Sequence, residues 1–160
     1  MIKTSNRNGS SSSLQATLYY LRLKTHDDQQ LFGRASDVSD AAPESQATLA
    51  KIVADELRQA ETHHKGVSLE LWILEPDALH AIVMLQESRP SQETTGKPRL
   101  LTSFVAELKT ATAKRINLMR NQPGSSVWRR SYKEQRVDDE VMLARLRRKL
   151  VESDSIVVSG

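Results

Sequence analysis

Chemistry needs lone pairs and nucleophiles, and this chain offers few of them. Its 160 residues contain no cysteine, which excludes thiolate metal sites, disulfides and cysteine nucleophiles and suits a reducing compartment. The histidine best placed to act is His80, three residues after Asp77 in an apolar stretch. Together the two offer a nitrogen and a carboxylate to a cation, although a lone strand histidine more often makes structural hydrogen bonds. His63 and His64 sit in a polar turn, where a solvated pair is the plainer reading. Tyr132 is a candidate nucleophile, with a packing aromatic as its alternative. Lys109, Lys114, Arg115, Arg129, Arg130 and Arg136 can together form a phosphate-binding face, or they are unrelated solvated charges.

The charge distribution sharpens that last choice. Residues 1–98 carry 10 Lys/Arg against 13 Asp/Glu, whereas residues 99–160 carry 13 against 7. A basic half is what contact with phosphates requires, because each contact displaces condensed counterions. Hydrophobic content of 38% and charged content of 27% are ordinary for a globular domain, and the length allows one core. No apolar run approaches the ~20 residues of a membrane span. Residues 1–13 are rich in Ser and Asn and lack the apolar block of a secretory signal. The expectation is a cytoplasmic protein without a membrane partner: a disordered tail over 1–13, one domain over 14–152, and a C-terminal tail over 153–160.

Seven elements must position these side chains. A strand over 14–24, dense in Leu and Tyr, ends at His26-Asp27-Asp28. A polar connection leads to Ser45, a candidate cap for a helix over 46–62 with Leu49, Ile52, Val53, Leu57 and Ala60 as its stripe. Gly66 is a natural left-handed terminator. Val67, Leu69, Leu71 and Ile73 alternate with Ser68, Glu70 and Trp72, the period of a half-buried strand. A turn at 75–78 then returns the chain as an apolar strand over 79–85. A second helix is predicted over 101–120, with Phe104, Val105, Leu108, Ile116 and Met119 on one face. A short extended piece over 127–132 and a helix over 138–152 complete the domain. The last helix has Met142, Leu143, Leu146 and Leu150 as its stripe and charges that match the helix dipole. Ile156-Val157-Val158 offers one more strand. The order of elements describes an α+β, ferredoxin-like fold, a central antiparallel sheet with packed helices.

Four phrases of the sequence carry more than pattern. They are Thr25-His26-Asp27-Asp28-Gln29-Gln30-Leu31-Phe32-Gly33, then Glu75-Pro76-Asp77-Ala78-Leu79-His80, then Leu108-Lys109 leading to Ala113-Lys114-Arg115-Ile116-Asn117. The last is Pro123-Gly124-Ser125-Ser126-Val127-Trp128-Arg129-Arg130-Ser131-Tyr132. In this order they resemble the single-tyrosine HUH transposases, the insertion-sequence-200-like and REP-associated group. That resemblance implies two histidines on one strand holding a divalent cation, which polarises a phosphodiester. It also implies a tyrosine on the last helix that attacks and becomes linked to the 5′ phosphate. The implied substrates are single-stranded DNA ends beside hairpins, and the implied assembly is a dimer.

Set on this chain, the first histidine of the resemblance falls on Ala78 and the second on His80. The tyrosine falls on Lys149 and the later metal ligand on Ser153, and no tyrosine follows Tyr132. Ala78, His80 and Lys149 therefore read as a vestigial site with no metal, no cofactor and no catalytic residue. A lysine there would hold a phosphate without cutting it, which adds Lys149 to the phosphate-binding residues. The expected function is that of a catalytically inactive, domesticated transposase-like domain that binds single-stranded DNA or RNA hairpins. One rival is a protein-interaction or assembly factor that reuses the scaffold; another is a residual metal-dependent nickase acting through His80 and Tyr132. A homodimer is expected from the resemblance and from the apolar strand over 79–85, which has little to protect an exposed edge.

Overall fold

In the computed structural model, residues 15–33, 44–87, 98–152 and 158–159 are described. The chain runs through β1 (Gln15–Lys24), α1 (Glu44–His63), β2 (Val67–Glu75), β3 (Ala78–Glu87), α2 (Arg99–Met119), β4 (Lys133–Val137), α3 (Glu140–Val151) and β5 (Val158–Ser159). All strand pairs are antiparallel, in the order β4-β1-β3-β2-β5. Its first four strands have the order and connections of a ferredoxin-like sheet, so the expected fold is the observed one. The tail 1–13 lies outside the described residues. Within the C-terminal tail, Val158 and Ser159 pair with Ile73 and Trp72.

Both faces of the sheet are covered, and strand alternation sorts the side chains between them. The exception is β2, where a register shift between Leu69 and Leu71 puts Val67 and Leu69 on one face and Leu71 and Ile73 on the other. With Trp72 also buried, β2 is not the half-buried strand with one apolar face that was expected. On one face Leu21, Leu23, Trp72, Leu74, Leu79, Ala81, Val83 and Leu85 pack with Leu49, Val53 and Leu57 of α1 and Leu101, Phe104 and Leu108 of α2. On the other, Tyr20, Leu71, Ile73, Ile82 and Val137 pack under Leu150, Met142, Leu143 and Leu146 of α3. Double coverage explains why residues 79–85 read as a continuous apolar run. It also corrects an expectation: β3 lies between β1 and β2, so it is no exposed edge and gives no argument for a dimer. The sheet ends instead on β4, whose sequence Lys-Glu-Gln-Arg-Val is charged as edge strands usually are.

Other boundaries moved for local reasons. The extended piece expected over 127–132 supplies only a single bridge, Thr25 to Trp128, while the strand itself lies at Lys133–Val137. Helix α1 begins at Glu44, which places Ser45 in its first turn. Helix α3 begins at Glu140, where the Asp139 carboxylate accepts from the Met142 amide at 2.8 Å. Met119, expected on the buried face of α2, is 53% exposed. Gly66 does terminate α1 with φ +93°, and a Cβ there would meet the Gln86 carbonyl oxygen at 2.5 Å. That carbonyl's own amide donates to Gly66 O at 2.7 Å, so the hairpin closes only around a residue without a side chain.

Candidate functional site

The four phrases singled out in the sequence converge at one end of the sheet. The Thr25 amide donates to Asp77 O at 3.0 Å, the His26 amide to Val127 O at 2.8 Å, and the Arg129 amide to Lys24 O at 2.9 Å. The Phe32 amide donates to Pro76 O at 3.1 Å, and the Phe32 and Trp128 rings lie 5.8 Å apart. Trp128 in turn donates its indole N–H to the Thr112 hydroxyl at 2.8 Å, which ties the last phrase to α2. Arg120 reaches Gln29 at 3.0 Å from the end of the same helix. Segments distant in sequence, Lys24 and Arg129 among them, thus share one hydrogen-bonded patch.

His80 stands on the α3 face beside this patch. In the antiparallel register its neighbours are Arg22 on β1 and Ile73 on β2, while Ala78 faces Lys24 and Glu75. Ala78 and His80 are two residues apart on one strand and share a face. His80 is 8% exposed, and its imidazole is held from both sides. Its Nε2 lies 2.7 Å from Glu75 Oε1, and its Nδ1 lies 2.7 Å from the Tyr20 hydroxyl. A carboxylate only accepts, so a neutral imidazole carries its proton on Nε2 and accepts the Tyr20 O–H at Nδ1. Burial favours that neutral form and pulls the His80 pKa below its ordinary value, against the opposing attraction of Glu75. Burial also raises the Tyr20 hydroxyl. Both ring nitrogens have partners, so ligating a cation would take the lone pair that Tyr20 now uses.

The place across from Ala78 belongs to Lys24. Its ammonium lies 3.0 Å from Asp77 Oδ2 and 3.2 Å from Asp28 Oδ1, and the Asp77 hydrogen bond, partly offset by desolvation, raises its pKa. Asp28 also pairs with Arg129 at 2.6 Å, and Lys24 foremost among these cations holds its carboxyl below the usual range. Asp27 and Asp28 both adopt positive φ, 57° and 55°, a conformation costing roughly 1–2 kcal/mol per residue. It turns the Asp28 carboxylate toward both cations. Asp77 is therefore engaged with Lys24 rather than offered jointly with His80. Among the described residues, no group of three His, Asp or Glu is gathered to hold a metal ion.

The sequence-derived basic residues do not form one surface. Lys109 donates to the carbonyls of Arg129 and Arg130 at 2.7 and 2.9 Å and so braces the last phrase against α2. Arg115 pairs with Glu56 and Asp55 of α1, Arg129 with Asp28, and Arg136 with Asp138. Lys114, Arg130 and Lys149 are exposed. Lys149 belongs to α3, across the sheet from Lys109, Lys114 and Arg115 on α2. Tyr132 packs against the α1–α2 core, and burial raises its hydroxyl pKa. The sheet thus separates Tyr132 from His80, and the two do not face a common phosphate.

His63 is solvated as expected, 55% exposed at its side chain, whereas His64 is largely buried. His63 Nδ1 lies 2.6 Å from Glu107 of α2, and His64 donates to Ala60 O at 2.9 Å with its ring edge-on to Phe104. The His63–Glu107 and His64–Phe104 contacts join the end of α1 to α2. The residues missed in the sequence are Tyr20, Arg22, Lys24, Glu75 and Lys133. Strand phase places 20, 22 and 24 on one face, but only the register of β1 against β3 brings them to His80.

No protein-family model matches the chain, and no curated protein matches it in sequence. Solved structures do. One is a REP-associated tyrosine transposase bound to a REP hairpin, at 11% identity and a TM-score of 0.51, covering 93% of this chain and 68% of that one. Another is a Deinococcus radiodurans protein described as a transposase, at 19% identity and the same TM-score, covering 90% of this chain and 95% of the other. At these identities the likeness is one of fold.

Proposed function

We propose that this chain, built on the fold of the REP-associated tyrosine transposases, binds hairpin or single-stranded nucleic acid and does not cut it. The observation that carries the reading is the state of the His80 site. Where the resemblance implies a histidine there is Ala78, and its cross-strand neighbour is Lys24, whose ammonium pairs with Asp77 and Asp28. His80 has both nitrogens engaged, and a cation placed beside it would meet the repulsion of its cross-strand neighbour Arg22. At ~4 Å and an effective dielectric near 20, like charges cost about 4 kcal/mol. Cations that oppose a metal attract a phosphate, so the site favours binding over cleavage. The structural neighbour with a bound REP hairpin supports nucleic acid as the ligand.

The test is direct. A labelled hairpin oligonucleotide, as DNA and as RNA, should bind with an affinity that falls as salt rises. Incubation with magnesium or manganese should give no nicked product and no adduct that survives denaturing electrophoresis. A covalent adduct would overturn the non-cleaving half of the reading, and absence of salt-dependent binding would overturn the other half.

A protein-binding reading has its own observation. Leu118 and Met119 are 70% and 53% exposed, beside a cleft between α1 and α2 lined by Lys51, Ile52, Asp55 and Arg115. Large exposed apolar side chains grouped within a charged rim mark contact surfaces. A second copy of the chain is one partner for that surface, and light scattering gives the mass that decides for or against a homodimer.

A further inference from the structure

The sheet face that carries His80 also carries two cations, Arg22 and Lys133, that form no ion pair among the described residues. Arg22 and Lys133 are direct cross-strand partners of β1 and β4, and Arg22 has His80 as its partner on the other side. Like charges at directly opposed positions destabilise a sheet, so such a pair calls for an anion. The Nε–H of Arg22 is buried and has no hydrogen-bond partner among the described residues, whereas buried guanidinium donors ordinarily find an acceptor. The Lys133 ammonium stands 5.9 Å from the centroid of the Tyr20 ring. Neither nearby carboxylate forms an ion pair with them: the Glu75 carboxylate accepts from the neutral His80, and Asp77 pairs with Lys24. Glu134 follows Lys133 in sequence but faces Leu21, on the other side of the sheet. The α3 stripe packs on Tyr20, Leu71, Ile73, Ile82 and Val137, and Lys133 is exposed.

We infer that Arg22 and Lys133 together hold one backbone phosphate of a nucleic acid on the sheet beside His80. The inference rests on the nucleic-acid reading above and gives it a location. A guanidinium fork and a mobile ammonium are complementary to a phosphate, which accepts several charge-assisted hydrogen bonds at once. The neutral His80 imidazole, fixed between Tyr20 and Glu75, shapes the site without adding charge. None of the seven cations expected from sequence belongs to this pair.

The experiment follows the Arg22 Nε–H directly in ¹H–¹⁵N spectra of the full chain. Its resonance is assigned by its loss in Arg22→Lys. Titration with sodium phosphate should shift it saturably, while sodium chloride at matched ionic strength should not. Lys133→Gln, on the exposed edge strand, should weaken hairpin-oligonucleotide binding roughly five- to ten-fold and lower the salt dependence by about one counterion. Lys133→Arg should restore both. Circular dichroism of each variant checks that the fold is kept. If phosphate leaves the Arg22 resonance where it is, the site is refuted. A hairpin that binds the wild type and Lys133→Gln equally well refutes the site while the nucleic-acid reading stands. A phosphate-specific shift without any hairpin affinity overturns the assignment to nucleic acid and the reading beneath it.

Discussion

The buried His80 makes stability depend on pH in a direction that can be worked out. Burial, acting against Glu75, lowers its folded pKa, whereas in the unfolded chain it titrates near 6.5. Below that value the unfolded state binds the proton first, so stability is full above about pH 6.5 and is lost as pH falls toward the folded pKa. One proton bound only by the unfolded state costs about 1.4 kcal/mol by pH 5.5, and that is the ceiling for this residue. Against a domain stability of roughly 5–15 kcal/mol it is a measurable share. Urea unfolding of the wild type and His80→Asn between about pH 7.5 and 5.5 isolates it, because His26, His63 and His64 contribute to both proteins and cancel in the difference. The readout is the change with pH, since His80→Asn also alters the contacts of Tyr20 and Glu75 at every pH. The wild type should lose up to about 1.4 kcal/mol more than the variant over that interval. Equal losses would refute the reasoning, as would an imidazole resonance showing His80 protonated in the folded protein at pH 6.5 or above.

Trp128→Phe removes the N–H that reaches the Thr112 hydroxyl at 2.8 Å, and chemical denaturation should show a loss of about 1–3 kcal/mol. Gly66→Ala puts a methyl group 2.5 Å from the Gln86 carbonyl oxygen at φ +93°, and should cost about 2 kcal/mol or more by the same measurement. Truncating Leu150, 3% exposed on the sheet-facing side of α3, should cost about 2–4 kcal/mol as Leu150→Ala. Dye binding should rise at the same time if α3 loosens from Tyr20, Ile73 and Ile82. An unchanged midpoint in any of these variants would show that the named contact contributes little.

The element types and the main apolar stripes were legible in the sequence because they are local. The alternation over Val67–Ile73 gave a strand but the wrong face, because the register shift between Leu69 and Leu71 turns Leu71 and Ile73 to the opposite side from Val67 and Leu69. A helical stripe from Leu49 to Ala60, by contrast, needs only its own segment to show which face turns inward. The Gly66 stop was legible for the same reason, and so was the order of elements that makes the sheet ferredoxin-like. The resemblance added an expectation for Ala78, His80 and Lys149, which no periodicity contains. Tertiary structure alone decided that β3 is central and that α3 covers the second face, because strand order depends on pairings between distant segments. It separated Lys149 from the α2 cations and Tyr132 from His80 by placing a sheet between them. It also gave His80 its partners: Tyr20 lies 60 residues away, and Arg22 and Lys133 become neighbours only through the register of β1 between β3 and β4. A side chain's partners, and hence its proton affinity and its chemistry, are set by what folding packs against it; the sequence states only which groups are available.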